Sequence, residues 1–147
     1  MSELSDAPAL SRLDALWTAD LEDYPIALAW APDGRRLAVA GGDGGVAIYD
    51  HTGVRQAMLG GHEGGTLAIS WSADSQTLAT SGQDGCARLW DGDGGCQATL
   101  PADKQWVEHV RFAPRGDLRA TAAGRQVTFW RRDGDQITAC QPEAYTI

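Results

Sequence analysis

Three stretches decide the fold: Ala29–Leu37 (AWAPDGRRL), Ser70–Leu78 (SWSADSQTL) and Arg111–Leu118 (RFAPRGDL). Trp30 and Trp71 stand 41 residues apart, and Phe112 follows 41 residues later. Working outward, the same shift sets Asp33 on Asp74, Leu37 on Leu78, Asp43 on Asp84, Tyr49 on Trp90 and Asp50 on Asp91. In the third unit one residue is lost before Leu118, after which Leu89 falls on Phe129 and Trp90 on Trp130. A register held over this many positions is a repeat, and a period of this size belongs to solenoids, propellers and arrays.

Each unit reads as four short strands. Thr66–Trp71 (TLAISW) is an apolar run suited to a strand buried on both faces. Ala73–Gln76 is a polar turn and Thr77–Ser81 a second strand. Gly82–Gly85 (GQDG) is a hairpin turn in which glycine supplies positive φ. Cys86–Asp91 alternates small or polar with large apolar residues, and Gly92–Gly95 turns the chain into a fourth strand, Cys96–Leu100. Four antiparallel strands per repeat describe a propeller blade. A lone blade cannot bury both of its faces, so neighbours must stack on it.

Composition bounds the function. The 147 residues hold 12 Lys plus Arg against 20 Asp plus Glu, a formal charge of −8. Lys104 is the one lysine and the arginines are scattered, so there is no footprint for a phosphate backbone and nucleic acid is excluded as an obvious partner. No run approaches the roughly 18 apolar residues of a membrane span. Met1–Ala9 lacks the apolar core of a signal peptide. Cys86, Cys96 and Cys140 form an odd set without C-x-x-C spacing, which predicts neither zinc nor a disulfide framework. A reducing, cytoplasmic location fits them. The 18 glycines suit many tight turns, and Trp30, Trp71, Trp90 and Trp130 occupy repeat positions.

Gly61-His62, the turn Asp84 and the closing Leu89-Trp90-Asp91 resemble the glycine–histidine and tryptophan–aspartate marks of WD40 repeats, and the resemblance covers about Leu16 to Cys140. It implies an all-β fold of WD40-like propeller blades. Residues 14–140 are expected to form three four-stranded antiparallel blades (about 21–60, 61–101 and 102–140). An extra N-terminal outer strand is expected at Leu16–Asp20, in an open or partial ring. Residues 1–13 read as an N-terminal extension, and 141–147 as a tail where a fourth repeat starts. The surplus outer strand argues against a ring of whole copies and for the N-terminal portion of a larger propeller. The resemblance also implies a structural hydrogen-bond network, which in the second repeat matches His62, Thr80, Asp84 and Trp90. The first repeat holds Leu21, Val39, Asp43 and Tyr49 at those positions, and the third Asp103, Ala120, Gly124 and Trp130, so one full network is expected.

Among the candidate chemistry, Asp91–Gly95 (DGDGG) starts like a calcium loop but lacks its third acidic ligand and terminal Glu. Gly41–Gly45 (GGDGG) lacks the Lys-Ser/Thr and helix of a phosphate loop. No nucleophile elbow or metal-binding spacing is present, so no catalytic residue, metal or cofactor is assigned. Partner-binding candidates are Tyr24, Glu63 and Trp106, near equivalent loops before the inner strands, and His109, in an inner strand facing the channel. The resemblance implies that this rim docks protein partners, and Tyr and Trp are frequent interface anchors. Acidic Glu22, Asp23, Glu63 and Asp103 favour a basic partner segment. The reading is a non-catalytic protein–protein scaffold. The alternatives are a ligand-binding or enzymatic propeller with a channel site near His109, and a fragment without independent activity. Bare end faces carrying Trp30, Trp71, Leu89 and Phe112 are expected to drive self-association.

Overall fold

The computed structural model describes residues 15–102, 105–131 and, as backbone, 136–140. The expected extension 1–13, the tail 141–147, and Asp103 and Lys104 lie outside the described residues. Twelve strands form three four-stranded antiparallel sheets, and among the described residues there is no helix. Blade one is β1 (Pro25–Trp30), β2 (Arg36–Gly41), β3 (Val46–Asp50) and β4 (Arg55–Leu59). Blade two is β5 (Thr66–Trp71), β6 (Thr77–Gly82), β7 (Cys86–Asp91) and β8 (Cys96–Pro101). Blade three is β9 (Val107–Phe112), β10 (Arg119–Ala123), β11 (Gln126–Trp130) and β12 (Gln136–Cys140). In each sheet the strands lie side by side in chain order, and the three blades form an unclosed arc.

The core lies in the two seams between blades. In the first seam Ala31, Ala38 and Ala40 of blade one pack with Ile69, Trp71, Leu78 and Trp90 of blade two. In the second, Ala68, Ala79, Ala87 and Leu89 of blade two pack with Val110 and Trp130 of blade three. Small residues on one sheet make room for large ones on the next, the interdigitation that close packing requires. Blade two is covered on both sides, so five of the six residues of β5 are buried, whereas none of β1 is. Trp71 and Leu89 therefore belong to the seams and not to bare end faces, being 6% and 3% exposed. Trp30 is 49% exposed and does lie on an open face, while Phe112 is half-buried.

Two sequence expectations are corrected. Residues 16–20 form no strand. An outer strand pairs with the third strand of a blade, and β3, β7 and β11 are already paired with β4, β8 and β12. Trp17 instead stacks on Tyr49, ring centroids 5.9 Å apart, and donates its indole N–H to the His51 carbonyl at 3.2 Å.

The second correction concerns the lost residue of the third repeat. The first turn has one length in all three blades, since Trp30 pairs with Leu37, Trp71 with Leu78 and Phe112 with Arg119. Arg119, not Leu118, therefore occupies the leucine position. Leu118 is 46% exposed, whereas Arg119 is 3% exposed, stacks its guanidinium over the Phe112 ring and donates to the Arg131 carbonyl. Its aliphatic stem does the work of the leucine side chain. The missing residue falls in the next turn. Ala40 pairs with Val46 and Ser81 with Ala87, but in blade three Ala123 pairs with Gln126 around Gly124 and Arg125 alone. Gly124, at φ +54°, suits that tighter hairpin.

Candidate functional site

His62, Thr80, Asp84 and Trp90 meet in one chain of hydrogen bonds inside blade two. Thr80 Oγ1 accepts the Trp90 indole N–H at 2.9 Å and lies 2.7 Å from His62 Nε2. His62 Nδ1 lies 2.8 Å from Asp84 Oδ1. The carboxylate can only accept, so Nδ1–H donates to Asp84. In the neutral imidazole Nε2 then carries no proton and accepts from the Thr80 hydroxyl, whose oxygen accepts from the indole. Burial pushes the His62 pKa below its ordinary value and outweighs the upward pull of Asp84. Burial alone raises the Asp84 carboxyl, but hydrogen bonds from His62 and Arg88 hold it below the ordinary carboxylate range.

Arg88 is a member of the site that the repeat pattern does not reveal, because Ala47 and Thr128 fill its place in the other blades. Its Nη1 donates to Asp84 Oδ2 at 2.6 Å and to the Gly61 carbonyl at 3.0 Å. Both Nη1 hydrogens are thereby used, and the 2.6 Å approach of Nη1 to His62 Nδ1 is a contact that disfavours a second positive charge on the imidazole.

The network also clamps two blades together. Gly61 sits at φ +61° with its Cα against the Gly44 carbonyl of blade one. That carbonyl accepts the His62 backbone N–H at 3.1 Å and the Thr66 hydroxyl at 2.5 Å.

Blade three carries half of the same device. The Trp130 indole donates to Thr121 Oγ1 at 2.9 Å. The hydroxyl position is Thr121 and not Ala120, a consequence of the shorter second turn, and that turn has no place for an aspartate. In blade one Asp43 closes its turn onto the Gly45 N–H and Tyr49 is sealed by Trp17. Asp91 Oδ1 is likewise engaged by the N–H groups of Asp93 and Gly95, which makes Asp91–Gly95 a self-capped turn.

Tyr24, Gly65 and Trp106 occupy equivalent positions just before the inner strands. Tyr24 is 80% exposed while its carbonyl accepts the Gly42 N–H and its own N–H donates to Asp23 Oδ1. The Gly65 carbonyl holds the Gln83 N–H in the same way. Trp106 is 55% exposed, and Glu63 is exposed beside the buried Gly65. Asp20, Glu22, Asp23 and Tyr24 line an open depression at this rim. His109 stands apart from it. It takes the position of Ala27 and Ala68, each packed against the next blade, and is therefore exposed on the open face of blade three.

The family model described as WD domain, G-beta repeat matches residues 19–50 and 53–91. Residues 19–91 are WD40 repeats. The matched residues cover blade one and β5 to β7 of blade two, and blade three repeats the same four-strand order. Among solved structures, one described as "Structure of U3-55K" has TM-score 0.79 at 15% identity, covering 84% of this chain and 41% of that one. "Crystal structure of RRP9 WD40 repeats" has TM-score 0.78 at 15% identity, covering 82% and 39%. "Crystal Structure of Mitotic Checkpoint Complex" has TM-score 0.71 at 23% identity, covering 78% and 38%. At these identities the likeness is one of fold. The chain spans about two fifths of the length of the solved chains it matches. A comparison with curated proteins gives no match.

Proposed function

We propose that this WD40 chain is a non-catalytic protein-interaction platform that docks a basic peptide segment on the rim bearing Tyr24, Glu63 and Trp106. The observation that carries the reading is Tyr24: its backbone is hydrogen-bonded on both sides while its ring is 80% exposed. An aromatic anchor presented on fixed backbone loses little entropy on binding. Asp20, Glu22 and Asp23 around it, and Glu63 on the equivalent loop of blade two, supply negative potential that favours Lys and Arg. One of the similar structures is a protein complex, in keeping with a platform role.

The test is binding to an array of Lys- and Arg-rich peptides. Tyr24→Ala and Trp106→Ala are each expected to weaken the best binder about tenfold, the effect of losing one interface anchor. Unchanged binding by both variants removes the rim from consideration. A second reading is favoured by a different observation. Leu28 and Trp30 lie side by side on the open face of blade one, 65% and 49% exposed, and this apolar surface supports self-association.

A further inference from the structure

We infer that the seam between blades two and three takes an arginine side chain from a partner protein, in the space that this chain fills with its own Arg36 at the seam between blades one and two. The site lies among the first turns of the blades, at the opposite end of the inner strands from Tyr24, and does not rest on the rim reading.

The first seam shows how the space is filled. Arg36 reaches from the start of β2 into blade two, stacks its guanidinium 4.8 Å over the Trp71 ring and donates to the carbonyls of Ser75 and Gly92. In the second seam each of these positions carries a smaller residue. Phe112 stands for Trp71, Thr77 for Arg36 and Gly116 for Ser75. The turns themselves match, since Ser75 and Gly116 both hold positive φ, at 62° and 78°. The backbone frame is therefore kept while side-chain volume is lost. A cavity of about 210 Å³ opens there, and Thr77, Phe112 and Gly116 all line it.

The lining selects a cation. Asp74 from the turn of blade two and Asp117 from the turn of blade three both border the cavity, with Arg119 as its one basic residue. Arg119 is engaged within blade three, stacked over Phe112 and donating to the Arg131 carbonyl. Two carboxylates against one guanidinium leave the lining net negative, which disfavours an anion. Asp74 Oδ1 accepts the Ser72 hydroxyl at 2.6 Å and the Gln76 N–H at 3.0 Å, so that carboxylate is oriented before a ligand arrives. The Gly116 carbonyl holds the repeat position of the Ser75 carbonyl, an acceptor of Arg36. An aromatic wall, carboxylates and a carbonyl suit the flat, many-donor guanidinium better than the compact ammonium of lysine. A wider groove bordered by the same Thr77 and Arg119 leads to the outer side of blade two and gives a side chain its way in.

Titration of the 147-residue chain with N-acetyl-arginine methylamide, followed by amide NMR, tests this. Saturable shifts are expected at the Thr77, Gly116 and Asp117 amides. The citrulline analogue has the same shape without the charge and is expected to bind about tenfold more weakly. Thr77→Arg places the chain's own guanidinium in the cavity, as Arg36 does in the first seam, and should abolish the shifts at Gly116 and Asp117. A far-UV spectrum and thermal melt check that this variant folds. Asp117→Asn, at an exposed position, is a second variant and should weaken binding severalfold. Tyr24→Ala should leave every shift in place, so the rim reading stands or falls separately. Absence of saturable shifts, equal binding of the citrulline analogue, or undiminished binding in a folded Thr77→Arg or in Asp117→Asn each overturn the site.

Discussion

Ser75 Oγ accepts the Asp33 backbone N–H at 3.0 Å, joining the first turn of blade two to the first turn of blade one. Ser75 is buried and holds φ +62°, where the equivalent positions of the other blades are Gly34 and Gly116, both also at positive φ. Its carbonyl accepts from Arg36, whose guanidinium stacks 4.8 Å over Trp71 and donates to the Gly92 carbonyl. A non-glycine residue is thus held in a left-handed conformation by a bond across a seam.

Two substitutions separate the strain from the bond. Ser75→Gly orphans the Asp33 N–H as Ser75→Ala does but relieves roughly 1–2 kcal/mol of left-handed strain, so it should be more stable than Ser75→Ala by about that amount. Ser75→Ala keeps the strain and orphans the Asp33 N–H, with an expected loss of about 1–3 kcal/mol. Urea unfolding of both variants measures the difference. Equal losses would sink the assignment.

The register of blade three is tested at adjacent positions. Thr121→Val leaves the buried Trp130 indole N–H without its acceptor and should cost about 1–3 kcal/mol, while Thr121→Ser keeps it and should cost less. Ala120→Ser is expected to rescue nothing when combined with Thr121→Val. Thermal melts decide, and rescue by the serine would restore the register that sequence alone suggests.

Acid stability follows from two lowered pKa values. The folded His62 pKa lies below 6.5, so above that pH its contribution is complete. As pH falls below 6.5 the unfolded chain takes up the proton first, and stability drops until the folded pKa is passed, by at most about 1.4 kcal/mol per pH unit. The Asp84 contribution is complete above 3.8 and is lost as pH falls through its lower folded value. Stability measured by denaturant from pH 8 to pH 4 should decline below about 6.5 in wild type. In His62→Gln that first decline should flatten. A His62→Gln curve parallel to wild type would show that another group titrates.

The glycine–histidine pair makes two neighbouring glycines unequal. A Cβ on Gly61 would strike the Gly44 carbonyl and sits at φ +61°, so Gly61→Ala should cost about 2–5 kcal/mol. Gly60 faces open space, and Gly60→Ala should stay within about 0.5 kcal/mol. Comparable losses in both would place the constraint elsewhere.

The sequence by itself determined the blades. Periodic Trp, Asp and Gly fix strand after strand, because turn chemistry and alternation act between residues near in the chain. The residues His62, Thr80, Asp84 and Trp90 were legible through the resemblance of Gly61-His62 and Leu89-Trp90-Asp91 to WD40 marks, since the other two repeats do not carry the full set. Tertiary structure decided what depends on neighbours. Leu118 and Arg119 compete for one position by hydrophobicity alone, and only pairing across β9 and β10 shows that the arginine stem wins and that Thr121 follows it into place. Arg88 joins His62 and Asp84 although nothing in the repeat marks it, since its partners come from a loop 26 residues earlier and a turn on its own hairpin. Trp17 found Tyr49 instead of a strand edge because every third strand was already paired. Burial of Trp71 and exposure of Trp30, the same residue type at the same repeat position, rest on one physical difference: a blade stands in front of the first, and among the described residues none stands in front of the second.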